Sequence, residues 1–174
     1  MVNFRRWLRH VFMPPWAWRR AFPQTTLDAI EAAIRASEGT HGGEIRFAIE
    51  NSLAGSLVWR GMTGRERAVE VFSNLHVWDT EHNSGVLIYL LFADHDIEVI
   101  ADRGIAARVD PAAWEVAAQA METAFRHGEF EQGALAGIEQ IGTLLKAHFP
   151  LAEQASPSGD NPDELANRPV IIRR

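Results

Sequence analysis

No cysteine occurs among the 174 residues, which excludes a disulfide, a thiolate metal site, a cysteine nucleophile and any cysteine-dependent phosphatase. A bound metal would have to take oxygen or imidazole ligands. The seven histidines include no pair at helical ligand spacing accompanied by a third ligand, and no H-E-x-x-H occurs, so zinc is disfavoured. His127 and His148 fall near expected helix C-termini, where the helix dipole favours an imidazole. Ser52, Ser56 and Ser84 lack a nucleophile-elbow context. A phosphate-cradling glycine loop is missing too, because Gly42-Gly43 precedes its strand and the glycines at 61–64 are too sparse. Acid is absent from residues 1–22, and so is any long uninterrupted apolar run, so this segment reads as neither a cleavable signal peptide nor a membrane span.

With 47% hydrophobic and 23% charged residues, the chain has the balance of one globular domain with a single core. The formal net charge of -6 conceals an asymmetry. Residues 1–22 hold Arg5, Arg6, Arg9, Arg19 and Arg20, leaving 12 basic against 23 acidic residues elsewhere, a net of -11. Such a body repels nucleic-acid phosphates and attracts cations, so no nucleic-acid partner is expected. The basic arm carries three of the six tryptophans, and Arg beside Trp suits an anionic membrane surface. It equally suits an arm folded onto an apolar groove of its own body or of a second subunit. Pro14-Pro15 limits any helix before it to about two or three turns.

Leu27, Ile30, Ala33 and Ile34 recur at helical spacing and predict a helix over 25–38, stopped by Gly39. Residues 44–50 alternate with period two, as a strand does. An irregular stretch around Gly55 and Gly61 follows. Thr63 and Glu66 form a capping box for a helix reaching about residue 76. Residues 85–92 are almost wholly apolar, as in a central strand covered on both faces. Asp94-His95-Asp96 then turns the chain into an antiparallel strand over 97–101. Asp110-Pro111 starts a helix to about 127, Gly128 ends it, and a last helix spans about 131–148. The expected fold is an α/β three-layer sandwich: a small mixed sheet, made of a β-α-β crossover and a β-hairpin, covered by helices on both faces. Residues 1–22 form the arm, 23–150 the domain, and 151–174 a flexible tail.

This topology predicts a polar rim. If the hairpin places Leu87 opposite Asp102, the loops before one strand and after the other adjoin. The start of the parallel strand at Glu44 lies at the same end. Asp79, Glu81, Asn83 and Asp102 are thus candidate ligands for a hard cation such as Ca²⁺ or Mg²⁺, with Glu44, Ser84 and Arg103 beside them. The loop is no EF-hand, since its turn glycine would fall at Ser84 and its bidentate Glu at Leu90. Each residue also has a structural reading: Asp79 and Asn83 as turn caps, Glu81 and His82 as solvated side chains, Asp102 as a turn closure. Asp94-x-Asp96 after a hydrophobic strand resembles an aspartyl-nucleophile site in outline but lacks the partners such a site needs.

Gly43-Glu44-Ile45, the run from Trp78 through Asn83-Ser84-Gly85 to Ile88, Ile100-Ala101-Asp102-Arg103-Gly104-Ile105 and Trp114 resemble the TPM domain family, named after a thylakoid-lumen protein linked to photosystem II repair. Met121, Phe125, Gly128, Phe130, Gly133 and His148-Phe149-Pro150 continue the likeness, which spans about residues 24–150. It implies an α/β sandwich, calcium or a similar ion bound by loops at one end of the sheet, and weak acid-phosphatase activity. Carried onto this chain, the ion site is the Asn83-Ser84-Gly85 loop with Asp79 and Asp102. The family more often has Asn-Asn or Asp-Asn before that glycine, and Ser84 replaces one of the pair. Two functions follow. One is a cytoplasmic divalent-cation-binding interaction module aiding membrane-protein assembly or turnover, peripheral to the membrane if the arm docks there. The other is metal-assisted phosphomonoester hydrolysis through Asp79, Asn83 and Asp102, with Arg103 as the phosphate clamp.

Overall fold

The computed structural model describes residues 3–151 and 164–173. Their elements run α1 (Phe4–Phe12), α2 (Trp18–Ala21), α3 (Gln24–Glu38), β1 (Glu44–Glu50), α4 (Gly55–Trp59), α5 (Gly64–Asn74) and β2 (Gly85–Leu91). A 3₁₀ turn at Phe92–Asp94 leads to β3 (Asp96–Ala101), α6 (Arg103–Ala106), α7 (Pro111–Arg126), α8 (Phe130–His148) and β4 (Val170–Ile172). The sheet order is β3-β2-β1-β4, with β1 parallel to β2 and β4, and β3 antiparallel to β2.

Helices cover both faces, as the apolar patterning requires. Ile45, Phe47, Ile49, Val86, Ile88 and Leu90 face one layer, where α3, α7 and α8 contribute Ile30, Ile34, Met121, Phe125, Ile138 and Ile141. Ala48, Leu87, Tyr89 and Leu91 face the other, against Val58 of α4 and Ala68 and Val71 of α5. Every residue of β2 is buried, which is why its sequence shows no alternation. Local signals hold at the helix starts. Thr63 and Glu66 complete the capping box, and Asp110 accepts from the Ala112 N–H ahead of Pro111.

The structure departs from expectation in three places. Leu87 pairs with Ile100, not Asp102. The turn is tighter than supposed: the 3₁₀ turn and a left-handed His95 (φ 53°) let β3 begin at Asp96. A two-residue slip keeps every side chain on its face, so the core is unaffected. The irregular stretch contains the short helix α4, whose seat is tertiary, since a Cβ on Gly55 would stand 2.9 Å from Val11 Cγ2 and 3.2 Å from Trp7 Nε1. Finally, residues 164–173 were expected in a flexible tail but include β4, paired from Ala48↔Val170 to Glu50↔Ile172. The remainder of that tail, residues 152–163, lies outside the described residues.

The arm lies on the body. α1 ends at Phe12, ahead of Pro14-Pro15, and the Asn51 side-chain amide donates to the Pro14 carbonyl (3.0 Å). Phe22 inserts into the core against Phe47 and Phe125. Among the described residues no helix is long and apolar enough to cross a membrane.

Candidate functional site

The predicted rim forms through backbone hydrogen bonds. The Asp102 N–H donates to the Gly85 carbonyl (2.9 Å), and the Glu44 N–H to the Ser84 carbonyl (3.0 Å). The carbonyl oxygens of His82 and Asn83 crowd Gly104: a Cβ there would lie 2.7 Å from each, so only glycine lets the loop approach α6 so closely. Gly85 is confined likewise, since a Cβ on it would meet the Val77 carbonyl oxygen at 1.9 Å. The loop folds on itself around Thr80, whose Oγ1 accepts from the Ser84 N–H (2.8 Å) while its carbonyl accepts from the Asn83 N–H (3.2 Å). Asn83 adopts φ 53°, a left-handed conformation that asparagine tolerates well.

The seven sequence-predicted residues divide by burial. Glu44, Ser84 and Asp102 are buried; Asp79, Glu81, Asn83 and Arg103 are exposed. Asp102 caps α6, its Oδ1 accepting from the Arg103 N–H (2.7 Å), while its Oδ2 is buried without a hydrogen-bond partner. Glu44 Oε2 accepts from the Leu165 N–H (3.2 Å), and the Glu81 N–H donates to Glu164 (2.9 Å). Glu164 and Leu165 therefore close the rim from the C-terminal segment. No periodicity or motif marks them, and the hydrogen bonds span more than 80 positions of sequence. Among the described residues no three His, Cys, Asp or Glu side chains are grouped to hold a metal ion. An ion at this rim would therefore take Asp102 as its charged ligand and fill its shell with carbonyl, amide and water oxygens, a mixture that Ca²⁺ accepts.

His41 lies just before β1 and is fully buried, with Ser37 Oγ 2.9 Å from its Nε2 and the Gly43 N–H donating to Nδ1 (3.2 Å). Burial lowers its pKa to about 4, so the ring is neutral near pH 7 and acts as a structural pin.

Two further polar clusters stand away from the rim. Glu50 accepts from the Tyr89 hydroxyl (2.7 Å) and from Arg67 Nε (2.9 Å) and Nη2 (3.2 Å), a buried network binding β1, β2 and α5. Burial, and then the Glu50 charge, push the tyrosine hydroxyl far above its usual range, so it remains a donor. Asp94, considered above as a nucleophile, is instead the anchor of the arm. Arg6 Nε (2.8 Å), Arg9 Nη2 (2.6 Å) and His10 Nε2 (3.0 Å) converge on its carboxylate. The Leu53 N–H donates to His10 Nδ1 (3.0 Å), which places the ring proton on Nε2, facing Asp94.

Comparison with known proteins agrees with this architecture. The family model of the TPM domain matches residues 20–144. The NMR structure of the BA42 protein from the psychrophilic bacterium Bizionia argentinensis superposes with a TM-score of 0.72 at 30% identity, covering 87% of this chain and 95% of that one. No curated protein sequence matches. With the family model covering most of the chain and a solved relative sharing the same fold, the protein belongs to the TPM domain family.

Proposed function

We propose that the chain is a divalent-cation-binding interaction module, with Ca²⁺ or Mg²⁺ held at the rim by Asp102 and by oxygens of the 79–85 loop. The observation that carries this is the buried, unpartnered Asp102 Oδ2. A carboxylate oxygen removed from water without a donor is costly, and native proteins rarely leave one so without a bound ion, an ordered water or local strain to account for it. The carbonyls of His82 and Asn83, packed on Gly104 two residues away, offer oxygen donors at the same rim. A bound ion would supply positive charge that ties the loop to the start of α6.

The test is thermal unfolding during titration with Ca²⁺ and, separately, Mg²⁺. Binding to the folded state alone raises stability by about 2.7 kcal/mol at a hundredfold excess over Kd. Asp102→Asn should abolish the rise while keeping the fold, because asparagine caps helices as well as aspartate does. No stabilisation of the wild-type chain by either ion would overturn the proposal. A generic phosphomonoester assayed alongside separates binding from hydrolysis: turnover that requires the ion and vanishes in Asp102→Asn would replace this function with the hydrolytic one.

A further inference from the structure

We propose that the outward face of residues 4–20 docks on an anionic membrane surface, independently of the rim. α1 turns Arg6 and His10 to Asp94 and Trp7 and Val11 to Gly55 of α4, which leaves its opposite side outward. Phe4, Leu8 and Phe12 follow at four-residue intervals and so form one row along the helix. Phe4 is 58% and Phe12 74% exposed, so the end residues of this row project from the protein. The apolar surface extends sideways, since Phe4 stacks on Trp7 (5.8 Å between centroids) and Trp7 meets the exposed Trp59 edge-on (6.3 Å). Beyond Pro14-Pro15 the exposed Trp16 carries the Arg20 guanidinium 5.3 Å from its ring centroid.

Charge selects the occupant. Arg6 and Arg9 are committed to Asp94, whereas Arg5, Arg19 and Arg20 are exposed and form no ion pair among the described residues. With no acid in residues 1–22, the arm itself carries only positive charge, while the rest of the chain carries a net of -11. An anionic bilayer would repel the body and attract only the arm, which fixes the orientation of docking. Two copies joined symmetrically through this face would set arginine against arginine. Exposed Phe and Trp flanked by arginine match the lipid–water boundary, where rings enter the acyl margin and guanidinium groups stay among headgroups.

The full chain would be sedimented with vesicles of phosphatidylcholine alone and with vesicles containing phosphatidylglycerol. Binding is expected only to the latter, weakening steeply as salt shortens the screening length. Phe4→Asp/Phe12→Asp and Arg5→Ala/Arg20→Ala should each reduce the partition coefficient roughly tenfold or more. Because all four side chains are exposed, unchanged circular dichroism and Tm would confirm that the fold is kept. Absence of binding to anionic vesicles, or equal binding by the Phe4→Asp/Phe12→Asp variant, would overturn the proposal. So would a lipid-free dimer dissolved by that variant, if vesicle binding is absent. Asp102→Asn should bind vesicles as wild type does, so failure of the cation site and failure of this surface are separately visible.

Discussion

Asp94 and Asp96, two residues apart, titrate in opposite senses. Burial alone would raise Asp94, but hydrogen bonds from His10 and Arg6, and their charges, outweigh it and hold the carboxyl at about 2. Asp96 is pushed up to about 6, first by burial and then by the negative charges of Glu98, Glu122 and Asp94. Relative to an unfolded value of about 4, the consequences for stability are opposite. Asp94 stabilises fully above about pH 4, and that contribution is lost as pH falls through about 2. Asp96 costs nothing below about pH 4 and progressively more as pH rises through about 6, because the folded state holds the proton more tightly. Asp96→Asn is therefore expected to raise stability at neutral pH by about 2 kcal/mol and to remove the decline between those limits in urea unfolding. Asp94→Asn should cost a similar ~2 kcal/mol at neutral pH and little at the acid extreme, since it strips three partners of a shared carboxylate. A destabilising Asp96→Asn would show that this carboxylate is satisfied where it lies.

At the scale of elements, β4 has an importance out of proportion to its three residues. It covers the outer edge of β1 and brings Leu165 into the layer beneath α4 and α5. The segment leading into it supplies the backbone carbonyls of Ala166 and Arg168 to the Arg46 guanidinium. Ending the chain after residue 163 should lower stability by about 2 kcal/mol for the Leu165 side chain alone. Because the truncation bares the edge of β1, concentration-dependent association is expected in gel filtration. Full stability and a monomeric profile would show that β1 does not need its neighbour. Why β4 escaped sequence reading is physical. Val170-Ile171-Ile172 is too short to show a period, and it lies 120 positions from the strand that gives it meaning. By contrast β1, β2, α7 and α8 were legible because each carries its own signal: alternation, an unbroken apolar run, an Asp-Pro cap, a repeating apolar face. α4 has no such signal, only a seat against Trp7 and Val11.

Across the whole molecule, the rim and the arm occupy opposite ends of the sheet. Gly85, at the start of β2, meets Asp102, whereas Leu91, at its end, leads into Asp94 and the arm. That the rim would form at all was legible, because a hairpin beside a parallel neighbour must gather those loops whatever the register. The pairing of Glu44 with Leu165 and of Glu81 with Glu164 was not, because it belongs to the same distant segment as β4. Seven residues of strand separate the two ends by about 20 Å, more than twice the screening length of about 8 Å at physiological salt. A cation at the rim should therefore neither bridge the protein to lipid nor alter the field at the arm. The two sites should behave additively, as unconnected positions do. In a double-mutant cycle, Phe12→Asp should leave the Ca²⁺-dependent rise in Tm intact, and Asp102→Asn should leave vesicle binding intact, with the double variant showing the two losses and no more. Coupling beyond about 0.5 kcal/mol would mean that β2 or its neighbours shift as a unit when either end is engaged.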